Sequence, residues 1–416
     1  MTQNDYYLRT RCRMCDGTRL VQVVSLTPTP PGNNFLKPDQ IDKPEPRYPL
    51  DLYLCSDCNH VQLGHVVDPK ILYPKDYPYV SGTSANFVRH LQDYAGDMVQ
   101  RFGLAPNSLV ADIGSNDGTC LRFFKQHGMK VIGVDPATQI AEAATKAGIN
   151  TVGKFFSHEL AQYLRKEHGA AAFITSHNAC AHIDQLDDVI RGVAHWLDKD
   201  GVFVVEVGYF VDVYTNLWFD TIYHEHVDYH TVAPFAKLFA RTGMELISVQ
   251  RISPQGGSIR VMAQKAGGTL KPDNTASELI ELERRLELDK PETFAKFTQR
   301  INAIGERLRN LIRSLKDSGK SIAAYGATTK ATTMLSQFGI GGEALDFIVD
   351  DNPLKQGLFS PAFHIPVLPT DEIYKRRPDF VLILAWNFAD PIMAMHQRYI
   401  DQGGRFIIAM PEPRIV

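Results

Sequence analysis

Short apolar runs alternate with amphipathic stretches through most of this chain. Leu109–Ile113, Lys130–Val134, Ala172–Thr175 and Val202–Val207 are brief and apolar, as strands buried on both faces are. Ala85–Arg101 reads as an amphipathic helix ahead of them, and helical segments lie between them. Strands alternating with helices predict a parallel, doubly wound sheet. The helix Phe235–Thr242 and strands near Glu245–Arg251 and Ser258–Ala263 close that unit. Residues 275–317 are rich in Glu, Arg, Leu and Lys, and Pro291 divides them into two helices. A second strand–glycine–helix unit begins at Ser321, with strands at Phe347–Val349, Phe380–Leu384 and Phe406–Ala409. The first 74 residues differ. They hold short strands and six prolines between Pro28 and Pro46, which predicts extended loop there. The expected division is 1–74, 75–267 and 268–416.

Composition narrows the partners. The 416 residues include 44 basic and 47 acidic side chains, for a net charge of −3. That balance gives no electrostatic footprint for nucleic acid or an anionic membrane. No apolar run approaches the ~18 residues a bilayer requires. The first ten residues lack the basic and apolar regions of a secretory signal. A cytoplasmic protein, monomeric, without nucleic-acid or membrane partners, is expected.

In the cytoplasm thiols stay reduced. Cys12/Cys15 and Cys55/Cys58 form two Cys-x-x-Cys pairs, and each such turn offers two thiolates to one ion. A four-thiolate zinc site has no open position, so its expected role is structural, supplying stability that a small core lacks. Cys120 and Cys180 stand alone and are expected in the core.

Leu109–Gly118 is a strand, a glycine turn and a helix start, a geometry that aims N–H groups at a ligand. Asn116 stands where a dinucleotide turn needs its second glycine. Asp112 and Asp117 flank Gly114 instead. Carboxylates there suit a ligand with a cationic amino-acid end and no phosphate, which describes S-adenosylmethionine (SAM) better than NAD. Asp135 ends the next strand, where an acid binds ribose hydroxyls. Asn178 is assigned to the cofactor with them.

Phe219–His230 packs three histidines and three acids into twelve residues. His-x-His on a strand face suits a metal, and a carboxylate beside a histidine suits a general base. The cysteines already supply a full metal site, so acid–base work is favoured. His182 follows a strand of the same sheet, at the edge where such sheets bind ligands. Tyr73, Tyr77 and Tyr79 offer phenols nearby. In the last third, Gly326 permits close backbone approach, and Thr328, Thr329 and Lys330 are donors suited to phosphate. Asp350–Asn352, with Asp351 at its centre, suits a ribose or base.

Taken together, the paired cysteines, Tyr77-Pro-Tyr79 with Ser81–Ser84, Asp112–Gly118, Ala181–Ile183, Tyr223–His226, Gly256–Arg260 and Tyr325–Thr328 resemble the SAM-dependent sugar C-methyltransferases of deoxysugar pathways, such as the 3-C-methyltransferase of tetronitrose biosynthesis. The likeness spans nearly the whole chain. It implies an N-terminal zinc module, a Rossmann-like SAM domain and a smaller Rossmann-like C-terminal domain holding the nucleotide of a nucleotide-linked keto-deoxysugar. It also implies His226 as general base with Glu225 beside it, and Tyr77, His182 and Tyr223 around the sugar. Tyr79, His224, Tyr325, Gly326, Thr328, Lys330 and Asp351 are the expected substrate contacts. An RNA methyltransferase, a non-enzymatic zinc scaffold and a sugar O- or N-methyltransferase are the rival readings.

Overall fold

The structure is a computed structural model that describes residues 5–73 and 81–416. Three main sheets organise it. The first is antiparallel. Tyr48–Cys55 alternates apolar and polar residues, and its buried Tyr48, Leu50, Leu52 and Leu54 fall on one face, as a period of two requires. Leu20–Thr29 and Val61–Leu63 flank it. Leu20–Thr29 runs through Pro28, where loop was expected. It is the sheet's edge strand, and a proline that cannot donate to a ladder is tolerated at an edge. A two-stranded sheet pairs Tyr6–Leu8 with His65–Val67.

The middle sheet has seven strands. Their order is Met244–Ile252, Ser258–Lys265, Leu197–Gly208, Ala171–His177, Leu109–Ile113, Lys130–Val134 and Thr151–Val152. Only Ser258–Lys265 runs against its neighbours. The helix Ala85–Phe102 buries Leu91, Tyr94, Ala95 and Met98 in a cluster with Phe124, Phe173 and Val204. The helix expected from Phe235 begins earlier, at Val232, because Pro234 sits comfortably in a first turn.

The third sheet runs Val367–Leu368, Ile348–Val349, Ile322–Tyr325, Phe380–Ile383, Arg405–Ile408 and Arg414–Ile415, parallel except for the last. Pro291 is the first residue of the 27-residue helix Pro291–Asp317, which follows Thr275–Arg285. The two α/β sheets share a plan. Each reverses direction beside its first strand, opening a crevice at the strands' carboxyl ends. In the middle sheet that crevice lies between Leu109–Ile113 and Ala171–His177. In the third it lies between Ile322–Tyr325 and Phe380–Ile383.

One strand crosses between parts of the molecule. Asp228–Tyr229, directly after the histidine-rich segment, pairs with Val61–Leu63 and becomes the fourth strand of the cysteine-bearing sheet.

Candidate functional site

The four paired cysteines converge. Cys12 and Cys58 Sγ are 3.5 Å apart, as are Cys15 and Cys55 Sγ, and all four sulfurs lie within 4.8 Å of one another. Tetrahedral zinc–thiolate bonds place sulfurs about 3.8 Å apart, so the set fits zinc. Backbone N–H groups of Gly17 and Asp57 donate to Cys15 and Cys55 Sγ, each at 3.4 Å, which favours the thiolate form. Cys120 and Cys180 are buried elsewhere.

Arg13 lies inside the first cysteine turn and is 1% exposed. Its Nη1 donates to the carbonyls of Leu63 (2.9 Å) and Val227 (3.2 Å), and its Nε to Asp184 (3.0 Å). The cysteine turn is thereby tied to residues adjoining both His226 and His182. Asp228 is buried beside it, 2.6 Å from His60 Nε2.

At the crevice of the middle sheet, Gly114 holds φ +76°, and a Cβ there would lie 2.4 Å from that of Ala179. Asp135 accepts from the backbone N–H groups of Asn116 and Ala137, both at 2.9 Å. Asn116 and Asp117 accept from Ser81 and Gly82 N–H at 2.8 and 3.1 Å. Asp112 is 2% exposed, and among the described residues its Oδ1 has no hydrogen-bond partner. Burial first, then the charge of Asp135, push its pKa well above the usual carboxylate range. Asn178 follows Ala171–His177 in the left-handed region. Along the same edge Glu206 binds His90 Nε2 at 2.7 Å and Arg260 Nε at 2.6 Å, and the Arg260 guanidinium lies 4.8 Å from the Tyr94 ring centre. Burial disfavours the Glu206 carboxylate, but His90, His177 and Arg260 outweigh it and bring its pKa down to about 2.

The histidine cluster lies where the three sheets meet. His226 Nδ1 is 2.9 Å from the Thr221 carbonyl. A carbonyl only accepts, so Nδ1 carries the hydrogen and Nε2 keeps its lone pair. Nε2 lies 2.7 Å from the Tyr223 hydroxyl, which donates to it. The His182 ring stands edge-on to His226 at 4.9 Å, and the Tyr73 hydroxyl lies 3.1 Å from His182 Nδ1. Burial lowers His182 to about 4. Burial, then His182, and more weakly Lys330 and His230, hold His226 well below 6.5. Both rings are therefore neutral at pH 7. Glu225 turns the other way, accepting from Asn33 Nδ2 at 3.0 and 3.3 Å. Asn33 Oδ1 in turn accepts from Thr329 Oγ1 at 2.7 Å. One residue from each of the three parts meets there. Gly32 permits it, since a Cβ would lie 2.6 Å from the Thr329 carbonyl oxygen.

Comparison with known proteins places the chain. Residues 12–73 match a family model for a zinc binding domain, 87–249 a methyltransferase domain, and 253–411 a C-methyltransferase C-terminal domain. The C-methyltransferase NovU of Streptomyces niveus is 34% identical over 405 residues, covering 97% of this chain and 96% of that one. This chain belongs to the SAM-dependent C-methyltransferase family. Among solved structures, the magnesium protoporphyrin IX methyltransferase of Synechocystis with bound SAH aligns at 16% identity and a TM-score of 0.34, over 43% of this chain and 83% of that one. A methyltransferase from Clostridium acetobutylicum aligns at 12% identity and 0.36, over 43% and 92%.

The middle sheet of this C-methyltransferase fits its cofactor. A buried, unpartnered carboxylate oxygen on Asp112 suits an ammonium, and Gly114 leaves room for a close approach. Asp135 keeps acceptor capacity beyond its two backbone bonds. Its replacement by alanine is expected to weaken SAM binding roughly tenfold to a hundredfold, from lost bonds to ribose hydroxyls. Calorimetry tests this, and undiminished affinity would remove Asp135 from the cofactor site. Among the described residues no helix is long and apolar enough to cross a membrane.

The structure gathers some of the expected site residues and separates others. Tyr77 and Tyr79 lie outside the described residues. His226, Tyr223, His182 and Glu225 meet. His224 turns into the cysteine-bearing sheet, donating through Nε2 to the Tyr48 carbonyl at 3.1 Å, and is 1% exposed. Tyr325 donates to Asp351 at 2.7 Å and packs with His396 in a separate cluster. Gly326 (φ +94°) lies against Ala385, and Thr328 caps the helix Thr329–Phe338. Asp350 accepts from Ala327 N–H at 2.7 Å, as Asp135 does from Asn116 in the middle sheet. Asn33, Arg13, Asp220 and the His90–Glu206–Arg260 set emerge only in three dimensions. Of these, Asp220 lay within the dense segment from Phe219 to His230 and Arg260 ended the motif Gly256–Arg260, while the others carried no signal.

Glu225 supplies a stability prediction. Burial raises its pKa to about 7, with Asn33 opposing. A raised carboxyl contributes stability fully present below its unfolded pKa, near 4.5, and lost as pH rises through 7. Glu225→Gln is therefore expected to unfold about 3 kcal/mol less readily than the parent at pH 8, and equally at pH 4. Denaturant titrations at both pH values check it, and a variant weaker at pH 8 would show that the carboxylate is well satisfied.

Proposed function

We propose that this protein methylates C-3 of a dTDP- or GDP-linked 4-keto-6-deoxyhexose, with His226 as the general base. The observation that carries this reading is the fixed tautomer of His226. Its Nδ1–H is committed to Thr221, which leaves the neutral Nε2 as the proton acceptor, held 2.7 Å from the Tyr223 hydroxyl with the His182 ring edge-on to it. A hydrogen on carbon next to a carbonyl is acidic enough for such a base, and the enolate formed is the nucleophile that C-methylation needs. SAM, when bound, supplies an electrophilic methyl group. His226 accepts the C-3 proton and stays oriented by Thr221. Once Nε2 carries that proton it no longer accepts from Tyr223, and the Tyr223 hydroxyl is released to donate, with His182, to the developing oxyanion. The crevice of the third sheet, with Gly326 and Thr328 at its edge, holds the nucleotide, and orientation of both reactants in one cleft lowers the barrier further. The zinc takes no part in these steps because its four thiolates leave no open position.

The test is a panel of dTDP- and GDP-linked 4-keto-6-deoxy sugars incubated with SAM, read by mass and then by NMR. A methyl signal on C-3 is expected. A methyl on oxygen or nitrogen, or no transfer to any member of the panel, would overturn the assignment.

A further inference from the structure

Lys330, expected at the phosphates, stands on a helix that touches the histidine-rich segment. It is the second residue of the helix Thr329–Phe338. On either side of it, the same helix grips the histidine-rich segment. Thr329 reaches Glu225 through Asn33, and Thr333 Oγ1 donates to the Ile222 carbonyl at 2.8 Å. Residues three apart on a helix share a face, so Lys330 and Thr333 both face residues 219–226. Electrostatically its ammonium is felt by Asp220 and His226 alike. Among the described residues it nevertheless makes no hydrogen bond and no ion pair within 4.0 Å, and it is only partly exposed. Asp220 is 0% exposed and bound instead to Trp386 Nε1 at 2.7 Å. A half-buried cation with no partner among the described residues is free to meet an anion that arrives with the ligand.

We propose that Lys330 is a catalytic residue that donates from its ammonium to the substrate carbonyl oxygen as His226 removes the neighbouring proton. The proton passes to His226 Nε2. The C–H electron pair becomes the enolate C=C bond, and the carbonyl π pair moves onto the oxygen facing Lys330. On methyl transfer the oxygen pair re-forms C=O, the enolate carbon bonds the methyl, and the C–S pair leaves with sulfur. Lys330 keeps its proton throughout. A point charge on a flexible stem suits an oxygen whose charge rises and falls within one turnover. The assignment rests on the C-methylation reading above and deepens it.

Lys330→Met and Lys330→Arg are the test variants, with SAM and nucleoside diphosphate (dTDP and GDP) affinities measured by calorimetry beside kcat. Lys330→Met is expected to lower kcat about a hundredfold and leave both affinities within twofold, and Lys330→Arg to recover part of the rate. The acid limb of the pH–rate profile is also expected to move to higher pH, because a cation facing His226 is gone. The other groups facing that ring, His182, His230 and Tyr223, remain. A tenfold loss of nucleoside diphosphate affinity with kcat unchanged would place Lys330 at the phosphates and overturn the proposal. Unchanged kcat with an unchanged profile would also overturn it. A parent protein that binds SAM but methylates no 4-keto sugar would instead overturn C-methylation itself, and the Lys330 role with it.

Discussion

Asparagine in place of His226 is expected to slow methyl transfer roughly 10³-fold, in the middle of the range that a positioned general base contributes. The substitution is conservative in shape. An asparagine amide can still donate to the Thr221 carbonyl, so the loop between Asp220 and Val227 keeps its anchor. What it lacks is the Nε2 lone pair, 2.7 Å from the Tyr223 hydroxyl. SAM affinity should not change, since His226 is not among the residues expected to hold the cofactor. In the parent, the rate should hold its plateau below pH 6.5, because burial and the charges around His226 keep the ring unprotonated there. A variant within about tenfold of the parent rate would remove His226 as the base and leave Tyr223 to be tested next.

Removing zinc is expected to abolish turnover without touching a reacting atom. Structural zinc sites supply roughly 10 kcal/mol or more of folding free energy, and here the ion would join the two cysteine turns. Its loss releases Arg13 from the cysteine turn, and with it the bonds to Val227 and Asp184. It also releases Val61–Leu63, the partner strand of Asp228–Tyr229. None of the residues expected at SAM is a cysteine of the metal set, so a chelator-treated protein, or Cys55→Ser, should still bind SAM within a few-fold of the parent. Activity should return with zinc, and equally with cadmium, which suits the same thiolates. Turnover persisting in metal-free protein would show that the sheet holds without its ion. Loss of SAM binding along with activity would show that the metal supports far more than the N-terminal part.

Much of this was legible in the chain because the signals were local. Cysteine spacing, the strand–glycine turn at Leu109–Gly118 and the dense segment from Phe219 to His230 each carry their meaning within a few residues. The strands Leu109–Ile113 and Lys130–Val134 match their expected limits for the same reason. What stayed hidden depends on contacts across long stretches of sequence. Asn33 sits in a proline-rich loop with no periodicity, and its partners are 192 and 296 residues away. Arg13 reads as an arbitrary residue between two cysteines until Val227 folds against it. His90, Glu206 and Arg260 come from a helix and two strands, and only the sheet register sets Glu206 opposite Arg260. His224 illustrates the converse. Alternation alone suggested that it shared a face with His226, but the segment is a turn, and the ring is drawn to the Tyr48 carbonyl instead.

The junction of Asn33, Glu225 and Thr329 also has a meaning for synthesis. The chain emerges from its N-terminus, so Asn33 waits for Glu225 and both wait for Thr329, nearly 300 residues later. Until then the SAM-binding sheet can fold while the catalytic corner lacks one wall. The corner is thus among the last contacts this stretch of chain can form as it is synthesised.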